Sequence, residues 1–203
     1  FSEIDYSDIV VSRNYLVSNF YFNKPDCDYI LFLDSDMGFP PQLAQEMLSL
    51  SEDVVGVIYH KRDLDLKKLH SLKDIQFKKA YAKACDFIGE PGKPHPRNPS
   101  FRLVSSCGTG ILLISRSCIH TMIKECPDII DTKRFKKTSF GHKFESFITP
   151  FNKIELNDRE LSEDLSFCYR WKELCKQSIY ANIVHEIEHV SSITLKTCFA
   201  DLL

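Results

Sequence analysis

The sequence predicts an α/β fold, and three observations carry that reading. Short apolar runs rich in strand formers recur along the chain, at Tyr29–Leu33, Val54–Tyr59 and Ile111–Ser115. A proline-led stretch of helical length separates the first two, and a helix between consecutive buried strands implies a right-handed crossover. Over 203 residues, 43% apolar and 27% charged side chains are enough to bury the core of a single domain, taken here as residues 1–203. The expected architecture is therefore a mostly parallel sheet flanked by helices.

Taken in order, Tyr6–Phe22 places Ile9, Val10, Leu16, Val17 and Phe20 at three-and-four spacing, which predicts an amphipathic helix with Ser7 or Asp8 near its start. Asp28–Leu33 reads as a buried parallel strand emptying into Asp34-Ser35-Asp36-Met37-Gly38. Pro40 or Pro41 suits the first turn of a helix to about Leu50. Val54–Tyr59 is the next buried strand and ends on His60-Lys61-Arg62. Residues Asp63–Ala84 are rich in lysine with poor periodicity, and Gly89–Pro99, with prolines at 91, 94, 96 and 99, reads as a loop.

Phe101–Ser106 and Ile111–Ser115 read as strands flanking Gly108-Thr109-Gly110, and Ser117–Glu125 as a short helix stopped by Pro127. Asp131–Asp158 shows little periodicity and holds the basic cluster Lys133–Lys137, read as a solvated loop. Ser162 then caps a helix with Glu163 and Asp164 in its first turn, and Ser178–Ile183 is a last strand before a segment through His189 and Val190.

Charge and cysteine usage exclude several classes. A formal net charge of −2 provides no global field for nucleic acid or an anionic membrane, and no apolar run is long enough to cross a bilayer. The eight cysteines are scattered without a CxxC pair, the pattern of free thiols in a reducing compartment. With no secretion signal visible, a cytoplasmic location is the expectation. The chain opens on Phe1, read as a trimmed or incomplete N-terminus.

Three features carry candidate chemistry. Asp34 and Asp36, one residue apart at the carboxyl end of a strand, sit where α/β sheets bind ligands, and hard oxygens at that spacing can hold a divalent cation. The plainer reading is a turn stabilised by local backbone hydrogen bonds. His185-Glu186-Ile187-Glu188-His189 matches the HExxH signature of zinc hydrolases, which needs a helix and a third ligand. Only Cys198 and Asp201 follow as candidates, and Ser192 and Leu195 stand where the extended signature requires glycine and histidine. A strand with His185 and His189 on one face is the preferred reading. Asp164, at a helix start, complements the helix dipole, and that position also suits a proton acceptor.

In order and approximate spacing, Ser12-Arg13-Asn14, Tyr29–Pro40, Val54–Tyr59 with Lys61-Arg62, Gly108–Ile114, Ser162–Trp171 and Ile179–Val190 together resemble glycosyltransferases of the GT-A (Rossmann-like) fold, close to the family 2-type enzymes. The likeness spans residues 9–190. It implies a metal-dependent transfer of a sugar from a nucleotide-diphospho-sugar donor to an acceptor hydroxyl, inverting, with Asp164 as general base. Asp36, His189 and Asp34 would form the site for Mn2+ or Mg2+. Arg13, Asp34, Ser35, Lys61 and Arg62 would meet the donor, and Gly108, Thr109, Gly110, Glu163, Arg170 and Trp171 would line the sugar and acceptor pocket. Such enzymes begin with a strand and helix that hold the nucleotide base, and this chain starts at what resembles the second helix. The alternatives are a catalytically inactive, transferase-like module that binds a sugar nucleotide or a partner and, third, the zinc hydrolase.

Overall fold

The structure, a computed structural model, describes residues 8–132 and 146–191. Helix α1 (Ile9–Asn23) starts at Asp8, whose carboxylate accepts from the Val10 and Val11 amides at 2.9 and 3.2 Å and so satisfies two otherwise orphaned N–H groups. Strand β1 (Tyr29–Leu33) turns into the two-residue β2 (Met37–Gly38). Helix α2 (Pro41–Ser49) begins on a proline, where no intrahelical N–H is needed. Then come β3 (Val54–Val57), β4 (Tyr59–Leu64), α3 (Leu66–Ser71), α4 (Phe77–Ala84), β5 (Cys85–Ile88), β6 (Pro91–Pro94), β7 (Phe101–Val104), β8 (Ile111–Ser115) and α5 (Arg116–Glu125). Short strands β9 (Ile130–Asp131), β10 (Phe147–Ile148), β11 (Glu155–Leu156) and β12 (Arg159–Glu160) lead to α6 (Glu163–Tyr169), which continues as a π-helical turn over Arg170–Leu174. Strands β13 (Ile179–Asn182) and β14 (Glu188–His189) follow.

Six strands form the central sheet in the order β1-β8-β3-β13-β7-β6, flanked by helices. The sheet is mixed and largely antiparallel, which corrects the expectation of a mostly parallel one. Strand β8 runs antiparallel to both β1 and β3, and β7 to both β13 and β6, so β3 with β13 is the parallel pairing in this sheet among the described residues. The crossover through α2 does join parallel strands, β1 and β3, but β8 lies between them. An apolar run reports burial on both faces and says nothing of direction: all five residues of β8 are buried because the strand is interior to the sheet. Strand β1 departs in the other sense. It is an edge strand among the described residues, and Leu31 and Leu33 on it are exposed.

Alternation along the strands sorts the core into two faces. Val54, Leu112, Ile114, Ile179 and Ala181 pack with Val17 and Phe20 of α1, Ile119 and Met122 of α5, and Phe167 of α6. Val55, Val57, Ile111 and Leu113 pack on the other side with Leu43 and Met47 of α2. The prolines of β6 sit on an exposed edge strand, a position that tolerates residues with no N–H for the ladder. The seven described cysteines are free thiols, six of them buried, and burial pushes the Cys118 thiol well up, so it serves as a small apolar side chain. No described helix is long and apolar enough to cross a membrane. The basic cluster Lys133–Lys137, with Lys143, lies outside the described residues, as does Cys198.

Candidate functional site

The turn after β1 and the distant β14 are joined by backbone pairing. Strand β14 lies antiparallel to β2 with His189 opposite Met37, and the Val190 amide donates to the Asp36 carbonyl at 2.9 Å. This register brings the His189 Nε2 within 3.5 Å of the Asp36 Oδ2. Nδ1 of the same ring lies 2.8 Å from the His60 carbonyl oxygen, which can only accept, so in the neutral ring Nδ1 carries the proton and Nε2 presents its lone pair. Arg62, on β4, donates from Nε to that Nε2 at 3.1 Å and from Nη2 to Asp36 Oδ2. A carboxylate oxygen and an imidazole lone pair thus face one cationic group, a donor set suited to a divalent cation. Among the described residues no cluster of three or more His, Cys, Asp or Glu gathers around one point, so a cation here would need further ligands from substrate or water.

A second cluster is centred on Arg13, buried on α1. Its Nη1 donates to Glu163 at 2.8 Å and to Asp164 Oδ1 at 2.5 Å, while Nη2 reaches Asp34 Oδ2 at 3.3 Å. One guanidinium therefore links the turn after β1 to the N-terminus of α6, and its charge is committed to carboxylates. The Thr109 hydroxyl also donates to Asp164 Oδ1, so Oδ2 is the oxygen left without a protein hydrogen bond among the described residues. Ser162 Oγ accepts from the Leu165 amide at 3.4 Å, which fixes where α6 begins and hence where Glu163 and Asp164 stand.

Both clusters border one cavity of about 480 Å3. Arg13, Asp34, Glu163 and Asp164 line it on one account, and Lys61, Arg62 and His189 on the other. Asp36, in contact with Arg62, is not among the lining residues. No protein-family model matches the chain, and no curated protein matches it. Among solved structures, the crystal structure of A197 from STIV is similar over 92% of this chain and 70% of its own, at 16% identity and a TM-score of 0.47. That likeness carries no residue assignment.

Gly108 and Gly110, expected to line the sugar and acceptor pocket, make room for Tyr59. A Cβ at Gly108 would overlap the Tyr59 hydroxyl, and one at Gly110 would lie 2.8 Å from it. The Gly110 amide donates to that hydroxyl at 3.2 Å, and the Asp34 amide donates to the Gly110 carbonyl at 3.0 Å, so the loop, the tyrosine and the acidic turn are one packed unit. Burial is the largest cause pushing the Tyr59 phenol up to about 12, and it stays protonated at neutral pH. Gly108→Ala is expected to cost roughly 1–3 kcal/mol by overpacking, read by urea unfolding, and adding Tyr59→Phe should recover part of that loss.

Other expected site residues lie elsewhere. Arg170 is buried below the cavity lining, donating to the Pro150 and Asn152 carbonyls at 2.9 and 2.6 Å, and Trp171 is a core residue whose indole N–H reaches the Ser178 carbonyl at 2.9 Å. Neither lines the cavity: Trp171 follows the buried Phe167 and Cys168 by one helical turn and so faces the core with them. Ser35 is exposed at the tip of its turn. The segment 183–187 is not helical, so the HExxH geometry does not form: His185 pairs with Glu46 at 3.1 Å, and Glu186 with Lys78. The expected strand is confined to Glu188–His189. Tyr59, Ile9 and Ile88 line the cavity without having been singled out, and Tyr59 was readable as the last residue of a buried run that meets a polar cluster.

Proposed function

We propose that this protein transfers a sugar from a nucleotide-diphospho-sugar donor to an acceptor hydroxyl. The supporting observation is that His189, which lies against Asp36, lines one cavity together with Lys61, Arg62 and the carboxylates Glu163 and Asp164 at a helix N-terminus. Asp36 and His189 would hold Mn2+ or Mg2+, and such an ion supplies charge neutralisation to a departing diphosphate. Lys61 and Arg62 add positive charge where the diphosphate would lie, and this charge is worth most as negative charge develops on the leaving group.

On this reading Asp164 accepts the proton of the acceptor hydroxyl as its oxygen attacks the anomeric carbon. Arg13 and Thr109 both bind Oδ1, which orients the carboxylate and leaves Oδ2 as the accepting oxygen. Glu163, held by the same guanidinium, is placed to accept hydrogen bonds from sugar or acceptor hydroxyls. Arg13, whose charge is matched by Asp34, Glu163 and Asp164, acts here as an organiser of the carboxylates and not as a diphosphate ligand.

A panel of sugar nucleotides incubated with the protein and Mn2+ tests the reading. Hydrolysis or transfer that is lost with EDTA and restored by Mn2+ supports it. Binding of a sugar nucleotide without turnover leaves a binding module and removes the enzyme.

A further inference from the structure

Resting on the reading above, we propose that Arg62 is a tethered competitor for the cation position: its guanidinium holds the two ligand atoms that a divalent cation would take, and it must leave before the cation binds. The contacts are atom for atom. Arg62 Nη2 donates to Asp36 Oδ2, Arg62 Nε donates to His189 Nε2 at 3.1 Å, and those two acceptors are 3.5 Å apart. The bond between Nδ1 and the His60 carbonyl makes Nε2 an acceptor, so the guanidinium draws on the same lone pair a metal ion would use.

The ligands are the fixed partners and Arg62 is the movable one. Asp36 and His189 are tied together by the β2–β14 pairing and the Val190 amide, and their side chains are only 22% and 11% exposed. Arg62 has a side chain 61% exposed and belongs to the β4–β5 pair outside the six-stranded sheet. Two cations cannot share one carboxylate oxygen and one imidazole nitrogen at contact distance, because their repulsion adds to the loss of both hydrogen bonds. Cation entry and release of Arg62 are therefore one coupled event. By reciprocity, anything that draws Arg62 away, such as an anionic diphosphate, tightens the hold on the cation by the same factor.

The test is binding of Mn2+ alone, read from loss of the free-ion electron paramagnetic resonance signal, with native circular dichroism required of every variant. Arg62→Ala is expected to bind Mn2+ roughly 10-fold or more tightly than the wild type, since a charge-assisted bond to each ligand no longer has to break. Lys61→Ala removes an equal charge from the same cavity and is expected to change the affinity much less. Asp36→Asn is expected to lose binding. Equal tightening by Lys61→Ala and Arg62→Ala overturns the proposal in favour of a general charge effect. Binding that Asp36→Asn abolishes and Arg62→Ala does not strengthen overturns it while leaving the cation site standing. Absence of Mn2+ binding in wild type and Arg62→Ala alike removes both the competitor and the cation-dependent reading.

Discussion

Asp36→Ala is expected to reduce cation-dependent sugar transfer by about 10^3-fold or more, because a cation on a diphosphate is worth several kcal/mol of transition-state stabilisation. The loss should appear in kcat, with the fold intact. Asp36 pairs with Arg62, whose side chain is 61% exposed, and removing such a surface pair costs at most about 1 kcal/mol. Turnover measured against Mn2+ concentration checks this: added Mn2+ should not rescue the variant. Retention of near wild-type, Mn2+-stimulated turnover by Asp36→Ala would remove the cation from the Asp36 and His189 position.

Asp164→Asn should leave donor binding as it is and lower the rate of transfer by roughly 10^2 to 10^4, the span for loss of a positioned proton acceptor. The amide oxygen can still accept from Thr109 and Arg13, so the local geometry survives. Arg13 keeps Glu163 and Asp34 as charged partners, so its burial remains compensated. Calorimetric titration with the donor, set beside the rate of transfer, separates the outcomes. A variant that loses donor affinity would reassign Asp164 to donor binding.

Local features were readable residue by residue where short-range chemistry decides them. A start for α1 at Ser7 or Asp8, placed by the structure at Asp8, the proline opening of α2, the Ser162 cap of α6 and the limits of β8 all follow from capping groups and apolar runs that act within a few residues. Strand direction did not follow, because β1, β3 and β8 present similar apolar runs whichever way they point. Arg170 and Trp171 illustrate a second limit. They continue the motif that carries the resemblance, yet both side chains are buried, Trp171 on the helical face it shares with Cys168 and Cys175. The glycines of Gly108-Thr109-Gly110 illustrate a third, since the atom that demands their small size belongs to Tyr59, about fifty residues earlier.

The amino-acid order alone determined the α/β class, five of the six strands of the central sheet, the openings of α1, α2 and α6, and a short set of candidate ionisable residues. Only the folded chain decided which of those residues act together. Asp36 and His189 meet through a two-residue strand pairing, Asp34 and Asp164 through one buried guanidinium, and Arg62 reaches both ligand atoms from a hairpin outside the main sheet. Caps and apolar periodicity are set by neighbours a few positions away, whereas a binding cavity is assembled by contacts across more than a hundred residues, and those are fixed by packing and backbone register.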